Sequence, residues 1–264
     1  MSAAPVFTRS LARSWRGFLG WAAAILAVLA LYLPLYSSLA GQDLQELIQG
    51  LPPELVSALG YDDITSGAGY TQSTFFGLIG FVLFTIAAVA WGTRALAGDE
   101  ESGTMELTLA HAVSRVRLVV ELAAAVTVRL LALGVFAGLA VLAFNGPAGL
   151  DLEAGNVWAA SAALTGVALL TGAVAMAAGA LTGRRVAAMG AAAGVAVAGY
   201  ALNAVANQNP DLEVLHRVSP YHWAFGARPL ADGADWAGLA GLYGAALLLF
   251  VVAALALDRR DIGR

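Results

Sequence analysis

Between Asp99 and Arg115 the chain reads DEESGTMELTLAHAVSR. Asp99, Glu100, Glu101 and Glu106 are acids, His111 is a lone imidazole and Arg115 closes the stretch, in a protein that is only 12% charged. Neighbouring carboxylates can bind a cation or present charge to a partner. A metal site needs further ligands at set spacing, and the pattern offers none. His111, His216 and His222 are scattered, no HExxH occurs, and there is no cysteine. Asp62-Asp63 reads as solvated loop charge. The acids of the cassette read as a docking surface for a cytoplasmic subunit, because a plain solvated hairpin leaves Gly103-Thr104, the acids and the spaced leucines unexplained. Lysine is absent, all 14 basic residues being arginine. A P-loop requires a lysine to reach nucleotide phosphates, so ATP chemistry falls to a partner.

The elements that hold these residues are membrane helices. A hydrophobic content of 59% and a mean hydropathy of +0.76 exceed those of a soluble domain. Six stretches reach the ~20 apolar residues that a spanning helix needs. They fall at about 17–40, 74–96, 118–144, 157–182, 186–206 and 236–257. Long unalternating runs favour helices over a barrel, since a helix satisfies its own backbone in lipid. The predicted fold is a single all-α transmembrane domain over residues 1–264.

Arginine placement orients it. If the six spans alternate, Arg9, Arg13, Arg16, Arg94, Arg115, Arg117, Arg184, Arg185, Arg259, Arg260 and Arg264 share one side, while Arg217 and Arg228 lie on the other. The positive-inside rule then makes both termini cytoplasmic. The first span ends in YSSLAGQ, a stretch resembling a signal cleavage site, but its apolar run is too long for a signal peptide, so it is expected to stay as an anchor. Residues 207–235, with the aromatic-rich HRVSPYHWAFGARPL, are expected as an extracellular re-entrant or interfacial segment. The acidic outer loop 42–73 is expected to hold short helices broken by turns.

Three further features bear on function. Phe7, Leu11, Trp15 and Phe18 recur at helical spacing opposite Arg9, Arg13 and Arg16, which predicts an interfacial amphipathic helix over 5–17, or more simply a positive flank that orients the first span. Gly134/Gly138 and Gly190/Gly194 read GxxxG and predict close helix packing. Glu121 and Arg129 fall within the third span, where an ionisable group is a candidate for cavity lining or gating. Glu121 can equally pair with Arg117 one turn away, and Arg129 can find a structural partner in the bundle.

EESGTMELTLAHAVSR resembles the signature of type-2 ATP-binding-cassette permeases, which reads roughly acid, Gly-Thr-Leu-Glu, apolar positions, then Pro-Val-Ser-Arg. Glu100 or Glu101, Gly103, Thr104, Glu106, Val113, Ser114 and Arg115 match; Met105 replaces the usual Leu and Ala112 the usual Pro. SPYHWAF resembles the family's Ser-Pro-aromatic segment, and LDRRDIGR its ending, with Arg260-Asp261 as the Arg-Asp pair. The resemblance implies a bacterial plasma-membrane exporter subunit. It implies a second permease copy or paralogue, and two copies of a separate ATP-binding subunit that carries ATP and Mg. It further implies that residues 98–116 hold a coupling helix seated on that ATPase, with Glu100, Glu101, Gly103, Thr104, Glu106, His111, Ser114 and Arg115 as docking residues. No catalytic, cofactor or metal residue is expected on this chain, and no nucleic acid. The apolar spans suit a hydrophobic drug, antibiotic or lipid-like cargo. The rival readings are an ion-coupled secondary transporter, which should show several intramembrane acids, a membrane-embedded enzyme, which should show a convergent polar constellation, and a regulatory membrane subunit.

Overall fold

The computed structural model describes residues 4–39, 50, 52, 63–109 and 114–260. All regular structure among them is helical. The elements are α1 (Pro5–Leu39), α2 (Gly67–Glu101), α3 (Thr104–Leu109), α4 (Arg115–Asn145), α5 (Ala154–Thr182), α6 (Arg185–Ala206), a 3-10 segment (Pro210–Val218), α7 (Pro220–Phe225), α8 (Pro229–Asp232) and α9 (Trp236–Arg259). Six of them, α1, α2, α4, α5, α6 and α9, are long and apolar enough to cross a membrane. They correspond one to one with the six apolar stretches of the sequence. Most of the outer loop 42–73 lies outside the described residues, as do His111, Ala112, Val113 and Asp261.

Helix ends depart from the apolar boundaries for local reasons. Residues 5–17 and the first span form one continuous helix of 35 residues, about 52 Å at 1.5 Å per residue. α2 begins at Gly67, because Ser66 Oγ accepts from Gly69 N at 2.9 Å and caps it. It then runs on through Asp99–Glu101, so the acids of the cassette form the last turn of a span. Two stretches of α2, Gln72–Ile79 and Arg94–Gly98, are wound as π-helix. Such windings are rare and cluster at functional positions.

α5 is the hub of the bundle, packed by α2, α4, α6 and α9. A helix with neighbours on every side needs small side chains, and in lipid close van der Waals approach is the main glue between helices. The α5 sequence AGNVWAASAALTGVALLTGAVAMAAGALT meets that need. At Gly92 of α2, an added Cβ would lie 2.6 Å from Gly172 O and 2.9 Å from Ala175 Cβ. At Gly134 of α4 it would lie 2.0 Å from Thr165 Oγ1, and at Gly138 2.8 Å from Ser161 Oγ. The first GxxxG is thus the α4–α5 contact. Gly190 and Gly194 of α6 have nothing within 4 Å.

Overpacking such a contact costs roughly 1–3 kcal/mol. Gly92→Val is therefore expected to lower the thermal midpoint of the purified chain by several degrees. Gly244→Ala, on α9 with open space around it, should leave the midpoint unchanged or slightly raised in the same melt.

Candidate functional site

The cassette closes one end of the bundle. An i,i+5 pair shares a face only in π-helix, and the π-winding at Arg94–Gly98 brings Arg94 and Asp99 onto one cavity wall. Glu100 and Glu101 then turn towards other helices. Glu100 Oε2 forms a salt bridge with Arg260 Nη2 just past the end of α9, with each side chain about four-fifths buried. Arg260 Nη1 also donates to Gly179 O of α5 at 3.3 Å. The turn from α5 to α6 passes beside this pair at Gly183. Its φ of +66° and an Oε1 2.7 Å from a notional Cβ both require glycine. Glu101 Oε1 accepts from Arg185 N at 2.8 Å, giving the first turn of α6 a carboxylate where its free N–H groups want one.

Arg115 completes the closure from the other side. Its Nη1 donates to Arg260 O at 2.8 Å and to Asp258 O at 3.2 Å, satisfying carbonyls at the end of α9. Ser114 Oγ accepts from Arg117 N at 3.3 Å and caps α4. Between these points, Gly103 takes a φ of +71°. Thr104 Oγ1 donates to Asp99 O at 3.1 Å and lies 2.9 Å from Ser102 Oγ. α3 follows, anchored by Met105, which is 1% exposed. Glu106 stands exposed in its first turn, with no hydrogen bond or ion pair among the described residues. Of the sequence-derived docking residues, then, Glu100, Glu101 and Arg115 tie helix ends together, Ser114 caps its own helix, Glu106 faces outward, and His111 lies outside the described residues.

Glu121 and Arg129 both sit between α4 and α1. Glu121 is buried. Its Oε1 accepts from Arg117 Nε at 2.8 Å, the pairing its i,i+4 spacing allows. Its Oε2 accepts from Val6 N at 2.8 Å and Phe7 N at 3.0 Å, so it caps α1 across a separation of more than a hundred residues. Arg129, only 8% exposed, donates Nε to Ala125 O at 2.9 Å and Nη2 to Ser10 Oγ at 3.2 Å, and lies 5.4 Å from the Trp91 ring. No described carboxylate bridges it. Beside it opens a cavity of about 690 Å³ between α1, α2, α3 and α4.

At the opposite end, the Ser-Pro-aromatic segment is an anchored cap. Ser219 is fully buried; its Oγ donates to Gly199 O at 2.7 Å and accepts from His222 N at 3.1 Å, which starts α7. Tyr221 OH donates to Gly77 O, a carbonyl within the first π-wound stretch, at 2.8 Å, and its ring packs edge-on to Phe81 and Tyr200. His216 and His222 stack at 3.9 Å, and His222 Nδ1 lies 3.0 Å from Asn203 Oδ1. Sequence spacing gave no warning of this stack, because the rings come from two different short helices. Among the described residues, no group of three His, Asp or Glu is placed to hold a metal.

A polytopic helical membrane protein, with an acid-arginine closure at one end and a short exposed helix beside it, is the class these features define. Residues 6–262 match the family model of ABC-2 family transporter proteins, and the chain belongs to that family. Members are membrane subunits, usually non-catalytic, of transporters whose ATP-binding subunit is a separate chain. None of the curated proteins matches the chain.

Two outcomes follow from this geometry. Glu121→Ala leaves the Val6 and Phe7 N–H groups and Arg117 without their acceptor, a cost of roughly 1–3 kcal/mol. Hydrogen exchange should speed up in the first turns of α1, and less so in Glu121→Gln, which keeps an acceptor. His222 is held below the ordinary histidine pKa by burial first and by the neighbouring His216 second, against the opposing pull of Asp235 and Glu213. Its neutral form is thus favoured in the fold, while the unfolded chain takes up a proton near pH 6.5. Stability should fall as pH drops through that value and level off below the folded pKa. In His222→Asn, the thermal midpoint should depend less on pH between 7 and 5.

Proposed function

We propose that the chain is the permease subunit of an ATP-driven exporter in a bacterial plasma membrane, with both termini and α3 in the cytoplasm. Two copies form the path, and two separate ATP-binding subunits supply ATP with Mg. The observation that carries this reading is the web around α3. Glu100, Glu101 and Arg115 join the ends of α2, α4, α5, α6 and α9 within one closure, while Glu106 remains exposed on α3. A push on α3 by a closing ATPase pair therefore reaches five spans through short polar links. Such a push shifts the permease only if ATP favours the closed ATPase pair, since an equilibrium moves by differential affinity alone.

The docking role falls mainly on Glu106 and the exposed side of α3, and the transmitting role on Glu100, Glu101 and Arg115. The second copy packs against α6, where Val186, Met189, Gly190, Gly194 and Val197 form an exposed apolar face with small residues at its centre. The cargo is a hydrophobic drug, antibiotic or lipid-like molecule, in keeping with the apolar spans.

Reconstitution with the cognate ATPase tests the division of labour. Glu106→Arg should weaken co-purification of the ATPase. Arg260→Gln should leave co-purification intact and lower ATP-dependent export about five- to a hundredfold, the usual range of a coupling free energy. Full export by both variants, or ATP-independent export by the chain alone, would overturn the reading. The absence of cysteine makes the dimer face directly testable, since Val197→Cys should crosslink to itself in membranes and Trp158→Cys should not.

A further inference from the structure

The cavity between α1, α2, α3 and α4 carries an unbalanced charge. Arg9 and Arg13 of α1, Arg94 of α2 and Arg129 of α4 line it, against the carboxylate of Asp99 alone among the described residues. Asp99 lies within electrostatic reach of Arg9, Arg13 and Arg94. Arg94 in turn lies close enough to Arg129 for mutual repulsion. Arg129 is more than nine-tenths buried and uses two of its five N–H donors on Ala125 O and Ser10 Oγ. Cations held this way in a low-dielectric setting call for an anion.

The rest of the lining defines what kind of anion. Trp91, Ala95, Leu118, Leu122 and Met105 share the cavity with the arginines. It reaches from Thr104 and Thr108 of α3, beside the helix-end closure, to Arg129, fourteen residues into α4 and so about 21 Å along its axis. One end is therefore at the depth of lipid headgroups on the arginine-rich side, and the other is within the spans. Guanidinium forks match phosphate oxygens, and a lining of mixed polarity matches an attached chain. Gly17, on the α1 wall, has nothing within 4 Å and leaves an opening there.

We propose that this cavity binds one phosphate-bearing anionic amphiphile, of the phosphatidylglycerol type. Its phosphate is held by Arg9, Arg13, Arg94 and Arg129, and its chain lies along Trp91 and Leu122. The phosphate neutralises the surplus arginines and props α1 away from α2. The site needs no particular cargo and holds whether or not the chain exports.

The test is native mass spectrometry of the full chain released from nanodiscs of mixed phosphatidylglycerol and phosphatidylcholine. One phosphatidylglycerol should stay bound in preference to phosphatidylcholine. Arg13→Gln, at an exposed position, should reduce its retention about fivefold, as expected for one arginine near a charged headgroup. Gly17→Leu fills the opening without changing charge and improves helix propensity; it should also reduce retention. Arg184→Gln, outside the cavity, should not. Equal retention of the two lipids, or unchanged retention in both Arg13→Gln and Gly17→Leu, would sink the proposal. A competition arm separates the sources of phosphate. If inorganic phosphate displaces the lipid at equal concentration, the chain adds nothing to binding and the site is one for a soluble anion, which also overturns it.

Discussion

Helix ends are the weak points of a membrane bundle, because their last carbonyls and first N–H groups lack partners where water is scarce. In this protein, most of those at one end are closed by side chains from other helices. Arg115 closes α9, Glu101 opens α6, Glu121 opens α1, and Glu100 holds Arg260 against α5. Charge is scarce in the chain, and Glu100, Glu101, Glu121, Arg115 and Arg260 at this end meet that requirement. The same links that satisfy stray backbone groups tie the ends of the spans to one another.

Much of the fold was legible in the sequence, since hydropathy marks the hydrocarbon layer directly. The six spans follow from it, and so does the isolation of the Asp99–Arg115 cassette. Helix length was less legible. α2 gains its early start from Ser66 and carries the acids of the cassette as its last turn, and neither fact leaves a hydropathy signal. The π-windings are also silent in sequence, although the i,i+5 spacing of Arg94 and Asp99 is a faint trace of one.

The candidate site was half legible, and the reason is range. Glu121 with Arg117 is an i,i+4 pair and could be read from spacing alone. The other oxygen of the same carboxylate serves Val6 and Phe7, which no local pattern connects to it. The acids of the cassette looked like a surface for a partner, and the family match supports a partner in general. Yet Glu100 and Glu101 find their mates inside the chain, while the exposed Glu106 has none among the described residues. Identical motifs also part company in space. Gly134 and Gly138 receive α5, whereas Gly190 and Gly194 face open space, because the motif encodes a smooth patch and leaves the choice of partner to the fold.

α1 shows how these features combine. Its first turn is pinned to α4 by Glu121, and its second is touched by Arg129 through Ser10, yet between those holds and α2 the helices stand apart around a basic cavity. Further along, α1 buries Ile25, Leu29 and Leu33 in the apolar core, so the gap is confined to its arginine-bearing end. Four arginines around the gap oppose its collapse unless an anion separates them. At that end the spacing of α1 from α2 is therefore set by charge more than by packing. The part of the bundle nearest α3 is held by polar links and electrostatic balance, while the core around α5 is held by close apolar fit.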